Sequence, residues 1–326
     1  MRPAAYLLAA LLPALAAAAA PQQYLAIEAK IPLPHVQGRF DHLAFDAQRN
    51  RLFVAALGNN SVEVVDVATR QVVQHLTNLS EPQGVAFSEA LQMLYVACGG
   101  DGTLHAWHAA DLSPAGAVKL GGDADNVRVD ERARRVYVGF GDGALAILQA
   151  DTLRVTSTIS LKAHPESFQF SPVDDRLFVN LPPAGGIAVI SRGQGQGQVT
   201  ATWPTAGMQA NYPMALEPGG KSVFVVFRKP AWIAEFAARD GRNVRATETC
   251  IDADDVFADA RRRRLYVICG EGAVDTLVMD GLAHLSRTPT SAGARTGLFV
   301  AAVDRLFVAA RAGQGDAAVW VLKPVD

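Results

Sequence analysis

The sequence predicts an all-β fold, a seven-bladed β-propeller built from four-stranded antiparallel blades. One strand-like segment recurs seven times, around Leu52-Phe53-Val54, Leu94-Tyr95-Val96, Val136-Tyr137-Val138, Leu177-Phe178-Val179, Val223-Phe224-Val225, Leu265-Tyr266-Val267 and Leu306-Phe307-Val308. The steps between the first residues of these triplets are 42, 42, 41, 46, 42 and 41. A sustained period of about 40–45 residues carried on strands marks a propeller blade. The last copy lacks a fourth strand, whereas residues 24–33 are strand-like and have no blade of their own.

Taken in order, residues 1–20 read as a secretory signal. Arg2 supplies a positive start, residues 4–15 an apolar stretch, and the alanines at 16–20 small residues for a signal peptidase. The stretch is too short and too alanine-rich for a spanning helix of about 20 strongly apolar residues. No later segment is long and apolar enough either, so the mature chain is expected in a periplasm or secreted, with no transmembrane segment. Residues 21–326 are expected to form a single propeller domain.

In the first copy, residues 42–45 are a short apolar strand and residues 46–50 a turn. Residues 52–56 form the second strand. Gly58-Asn59-Asn60 is a hairpin turn, because Gly and Asn tolerate the positive φ that such turns need. Residues 62–67 and 71–76 complete the blade. Copies two, three and six repeat this with turns at Gly99-Gly100-Asp101-Gly102, Gly141-Asp142-Gly143 and Gly270-Glu271-Gly272. The strands are near-continuous apolar runs, as expected for sheets buried on both faces. Ala44, Ala86, Ala215 and Ala258 suit the crowded inner edge. In the fourth copy the glycine-rich run at 193–197 accounts for the 46-residue step. Residues 24–33 are expected to supply the outer strand of the seventh blade, pairing two exposed edges and locking the ring.

The chain has 326 residues, half of them hydrophobic, and a formal net charge of −2. That balance argues against a general nucleic-acid or anionic-membrane partner, which calls for a basic excess. The one basic run, Arg261 to Arg264, reads as a solvated turn, and so does Arg228-Lys229-Pro230. Three cysteines are too few for a disulfide framework. Cys250 and Cys269 fall near one face of the ring, which leaves a disulfide between them open. The alternative is that all three are small buried apolar residues. The four tryptophans read as packing residues. His105 and His108 would point to opposite faces and make no joint metal site. There is no nucleophile elbow, P-loop, dinucleotide fingerprint or haem-attachment motif.

In a propeller the segment entering each first strand reaches the channel mouth. Aligned on the repeat, Asp41, Gln83, Asp125, Glu166, Tyr212 and Asp254 share one position, and His42, Asn126, Ser167 and Asp255 share the next. Asn211 and His164 lie just before this level, and Arg295 enters from the seventh copy. Six blades thus place a polar side chain at one level, and four of these are carboxylates. Like charges around a channel repel unless compensated, here by a divalent cation, a cationic ligand or Arg295. Oxygen-rich rings with an occasional His suit calcium or magnesium. Asp125, Asn126, Glu166, Asn211 and Asp254 are the first candidates for ligands, and His42 or His164 for a general base. The competing reading is that these are ordinary turn residues in a wet channel.

The segment Arg51-Leu52-Phe53-Val54 through Gly58-Asn59-Asn60-Ser61-Val62 to Val64-Val65-Asp66 resembles the repeat of the YVTN family of bacterial β-propellers. The likeness spans about residues 24–326, with copies four, five and seven departing most. Segments such as Glu81-Pro82-Gln83-Gly84 and His164-Pro165-Glu166-Ser167 are similar to those of exported members. The resemblance implies a secreted seven-bladed ring used for binding, with no catalytic residues to transfer. A looser resemblance is to metal-dependent propeller lactonases and lyases, which hold calcium or magnesium with Glu, Asn and Asp. No motif of theirs matches residue by residue. The expectation is a monomeric binding or interaction protein that takes a small molecule or a protein at the mouth. The alternative is a metal-dependent hydrolase or lyase.

Overall fold

A computed structural model describes residues 22–193, 196–313 and 315–326. The expected signal at 1–20 and part of the glycine-rich turn at 193–197 lie outside the described residues. The described chain forms seven four-stranded antiparallel sheets. In the first, Leu43–Asp46, Arg51–Ala56, Ser61–Asp66 and Gln71–Leu76 pair in chain order. The next five sheets repeat that order. The seventh is built from Thr296–Val300, Arg305–Ala310 and Ala317–Pro324, with Leu25–Leu33 as its outer strand. Among the described residues no helix is long and apolar enough to cross a membrane.

The core is not one mass but seven slabs, each between two neighbouring blades. The second strand of blade 1 shows why its sequence is apolar throughout. Leu52, Val54 and Ala56 pack towards blade 7, while Phe53 and Ala55 pack towards blade 2. All five are fully buried. Side chains alternate across a strand, so a sheet covered on both faces must be apolar at every position. Blade 2 repeats the division: Leu94, Val96 and Cys98 face blade 1, and Tyr95 and Ala97 face blade 3. Trp107 and Trp203 are buried between blades.

Two local devices recur around the ring. The outer strand carries a register shift in every blade, between Val64 and Val65 in the first and Ile27 and Ala29 in the last. Such bulges strengthen local twist, which a steeply twisted blade requires. The turn after the inner strand places one residue in the left-handed region, as at Asn50, Gln92, Arg134, Arg263 and Asp304.

The strand that completes blade 7 is held by more than its ladder. Leu25, Ile31 and Leu33 are fully buried. Lys30 lies over the Trp320 ring at 3.5 Å, and Arg264 over Tyr24 at 4.5 Å. Arg70 of blade 1 reaches Glu28 at 3.4 Å.

The basic run departs from the solvated turn expected of it. Arg262 is 6% exposed and binds Asp304 of blade 7 through two hydrogen bonds of 2.6 and 2.8 Å. It also reaches Asp259 at 3.1 Å and Asp326 at 2.7 Å. Arg263 joins Glu217 of blade 5 at 2.8 Å and Asp280 at 2.5 Å. The run therefore clamps three consecutive blades on one face. Cys250 and Cys269 form a disulfide with Cα atoms 5.8 Å apart, and Cys98 is free and buried.

Candidate functional site

The mouth is assembled from segments that reach the ring in two ways. Asp41, Asp125 and Glu166 each donate their backbone N–H to the end of their own second strand, at Ala55, Gly139 and Asn180, over 2.9 to 3.0 Å. These three residues therefore stand at one height. In blades 2, 5 and 6 the ladder is interrupted between Pro82 and Val85, Asn211 and Met214, and Ala253 and Asp255. Gln83, Tyr212 and Asp254 lie in these interruptions, where a strand re-aims its side chains.

The structure brings Asp125, His164 and Glu166 together, with one donor atom from each within 4.8 Å of the others. Asp41, His42 and Asp125 form a second such group, so Asp125 belongs to both. Asp125 is 6% exposed, and its Oδ1 has no hydrogen-bond partner. His164 Nε2 lies 3.8 Å from Asp125 Oδ2, an ion-pair distance too long for a hydrogen bond. The other ring nitrogen, Nδ1, contacts the Gly141 carbonyl at 2.6 Å. A carbonyl only accepts, so Nδ1 carries the proton there, and Nε2 is left for the carboxylates.

The charges around this group are compensated unevenly. Arg39 reaches Asp41 at 3.2 Å. His42 lies between Asp41, at 3.7 Å, and Asp255, at 3.8 Å. Asp254 is held from both sides, by Arg228 at 2.5 Å and Arg295 at 2.8 Å. The same arginines reach Asp252 at 3.2 and 3.1 Å. Arg228 also stacks over Tyr212 at 4.1 Å. Arg228 is thus no solvated turn residue, because the hairpin it sits on leans over the mouth.

Burial shifts the carboxyls in one direction. Asp41 is raised first by desolvation and then by the charges of Asp125 and Asp254, against the pull of Arg39. Glu166 is raised by desolvation and by Asp125, with His164 opposing. Asp255 is pushed up to about 7 by burial. Asp254 is raised by burial although two arginines pull it down. Asp125 beside His164 holds the imidazolium proton on, raising its pKa. The ring is short of positive charge where Asp41, Asp125 and Glu166 face one another.

The sequence candidates therefore separate. Asp125 and Glu166 join a donor set, and His164 joins them as a third donor rather than standing off as a base. Asp254 has both oxygens engaged by arginines and is not free to ligate. Asn211 is fully buried and donates to Asn180 Oδ1 at 3.2 Å and Gly186 O at 3.0 Å, so its amide nitrogen ties blades 4 and 5 together, while its Oδ1 has no partner. Asn126 is 1% exposed with a partnerless Oδ1. Gln83 donates to Asp123 at 3.3 Å. Asp255 accepts the Gly297 N–H at 2.8 Å and links blade 6 to blade 7. Arg39, Asp123 and Asp252 were not singled out by the repeat alignment, because their partners come from other copies or from the preceding loop. No protein-family model matches the chain, and no curated protein matches it.

Proposed function

We propose that this chain is an exported binding propeller that holds a divalent cation at the channel mouth and takes its ligand there. One observation carries the reading: Asp125, His164 and Glu166 converge while a buried Asp125 oxygen lacks any partner. Two donors to one ion stand no further apart than twice the bond length, roughly 4.8 Å for oxygen on calcium. The spacing meets that limit. A His whose far nitrogen is fixed by a carbonyl is the usual arrangement of a metal-ligating imidazole. One nitrogen among two carboxylates admits manganese or zinc beside the calcium or magnesium expected from oxygen alone. Export is supported by the signal-like residues 1–20 and by the Cys250–Cys269 disulfide, which suits an oxidising compartment.

Calorimetric titration of chelator-treated protein with manganese, zinc, calcium and magnesium tests the reading. One-site binding is expected, weakened at least about tenfold in Asp125→Asn. Asp111→Asn, on an exposed turn where it accepts only from Ser113, is expected to bind as the parent does. No binding by any of the four ions, or equal binding by Asp125→Asn, overturns it.

A further inference from the structure

Below the mouth, one side chain breaks the symmetry of the ring. The inner-strand residue that pairs with the second-strand aromatic is Ala44, Ala86, Arg128, Gln169, Ala215, Phe257 or Leu298, blade by blade. Five of these are apolar and only Arg128 is charged. Two of the alanines, Ala44 and Ala86, leave space along the axis. A cavity of about 660 Å³ fills it, running from His42 and Asp255 at the mouth end to Ala47, Glu89 and Glu131 at the far turns. Its walls include Phe45, Phe87, Phe257 and Phe299 as well as Arg128.

Among the described residues, Arg128 is the arginine of the channel without a carboxylate partner within ion-pair distance. Arg39, Arg228 and Arg295 all form ion pairs at the mouth. The one hydrogen bond from the Arg128 side chain, among the described residues, goes from Nη1 to the carbonyl of Val127 at 2.9 Å. The Phe168 ring lies 5.7 Å from its guanidinium carbon. A guanidinium carries five N–H donors and keeps its charge. Removing such a group from water without a partner is unfavourable, and burial does pull against its charged form, with Asp255 and Asp125 acting only from a distance. The far-end carboxylates do not answer it. Glu131 accepts from Ser88 and from the Glu89 N–H, both at 2.9 Å, and Glu89 from the Ala47 N–H at 3.1 Å.

A free planar donor fork facing an aromatic-walled cavity is complementary to a carboxylate on an apolar body. We propose that the channel binds a small monocarboxylate, its anionic end on Arg128 and its hydrocarbon against Phe45, Phe87, Phe257 and Phe299. The cavity volume falls within the usual range of about 300–1,000 Å³ for small-molecule sites. This site is separate from the cation at the mouth and does not depend on it.

The test is calorimetric titration of the full chain in chelator, so that a failed cation site leaves it untouched. The probes are 3-phenylpropionate, indole-3-acetate and octanoate, with 3-phenylpropanol as the neutral counterpart. Saturable one-site binding is expected for at least one acid. Where 3-phenylpropionate binds, it should do so at least about tenfold tighter than the alcohol. Arg128→Met should erase that preference, and Arg128→Lys, which keeps the charge but not the fork, should retain part of it. Arg128→Met is expected to fold, since it removes a desolvated cation that has no ion-pair partner; a circular-dichroism melt checks this. If it does not fold, the acid-to-alcohol ratio of the parent decides. Failure of all three acids to bind, equal affinity for acid and alcohol, or an undiminished preference in Arg128→Met overturns the proposal.

Discussion

Replacing Asp255 by Asn should make the protein more stable at pH 8 and leave it nearly unchanged at pH 4. Asp255 is 8% exposed, accepts the Gly297 N–H, and has His42 at 3.8 Å. Burial raises its carboxyl from 3.8 to about 7, so the folded state holds the proton more tightly than the unfolded state. The associated stability is therefore fully present below pH 3.8 and is lost as pH rises towards about 7. The interval spans about three pH units at about 1.4 kcal/mol each, giving an upper bound of about 4 kcal/mol. Screening by water in the channel reduces this to about 2 kcal/mol. Asn keeps an oxygen for Gly297 and drops the charge. Urea unfolding in chelator at pH 4, 5, 6, 7 and 8 measures the difference. Asp41, Glu166 and Asp254 shift the same way, so the variant keeps a shallower slope rather than none. Parallel pH profiles for parent and variant, or a less stable variant at pH 8, refute the reasoning.

Three further outcomes are expected. Replacing Cys250 and Cys269 by Ser opens a crosslink spanning 19 residues, which chain entropy values at about 3 kcal/mol; a reductant should lower the parent's melting point and leave the variant's unmoved. Asp275 has a fully buried side chain and accepts two hydrogen bonds from Arg287, at 2.7 and 3.0 Å, and one from Thr249 at 3.0 Å. Asp275→Ala should cost about 3 kcal/mol in denaturant unfolding, and Asp275→Asn less. Arg134 is exposed at φ 54°, with Asp151 only at 4.0 Å. Asn tolerates that conformation better, so Arg134→Asn should stabilise by about 0.5 kcal/mol in the same assay.

The blades were legible because a sheet buried on both faces writes an apolar residue at every position, as residues 52–56 do. The height of the mouth was legible for the same reason, since the second strands supply a ruler. What the ruler could not show is who meets whom across blades. Arg295, expected to compensate the carboxylates, does close on Asp254, but Arg228, from the hairpin of the preceding blade, closes on it as well and leaves it no free oxygen. Asn211 looked like a mouth residue but turns inward to Asn180. The outer-strand bulges left no mark in the composition, because the slipped residues are as apolar or polar as their neighbours. Arg128 is not singled out by the sequence reading, although it is the one charged residue where the other copies carry Ala44, Ala86, Gln169, Ala215, Phe257 and Leu298.

The sheet that joins residues 25–33 to residues 317–324 also sets an order of events. Among the described residues, the first strand to be synthesised has the last one as its partner. At roughly 5–20 residues per second, some 15 to 60 seconds separate the synthesis of residue 25 from that of residue 324. Throughout that time Leu25 lacks its blade 6 and blade 7 neighbours, and Ile31 and Leu33 have only the blade 1 face around Leu52 and Val54 to cover them. Early blades can form their hairpins, but the ring cannot close while synthesis continues. A holding partner for the nascent chain, or transport before closure, would cover that interval.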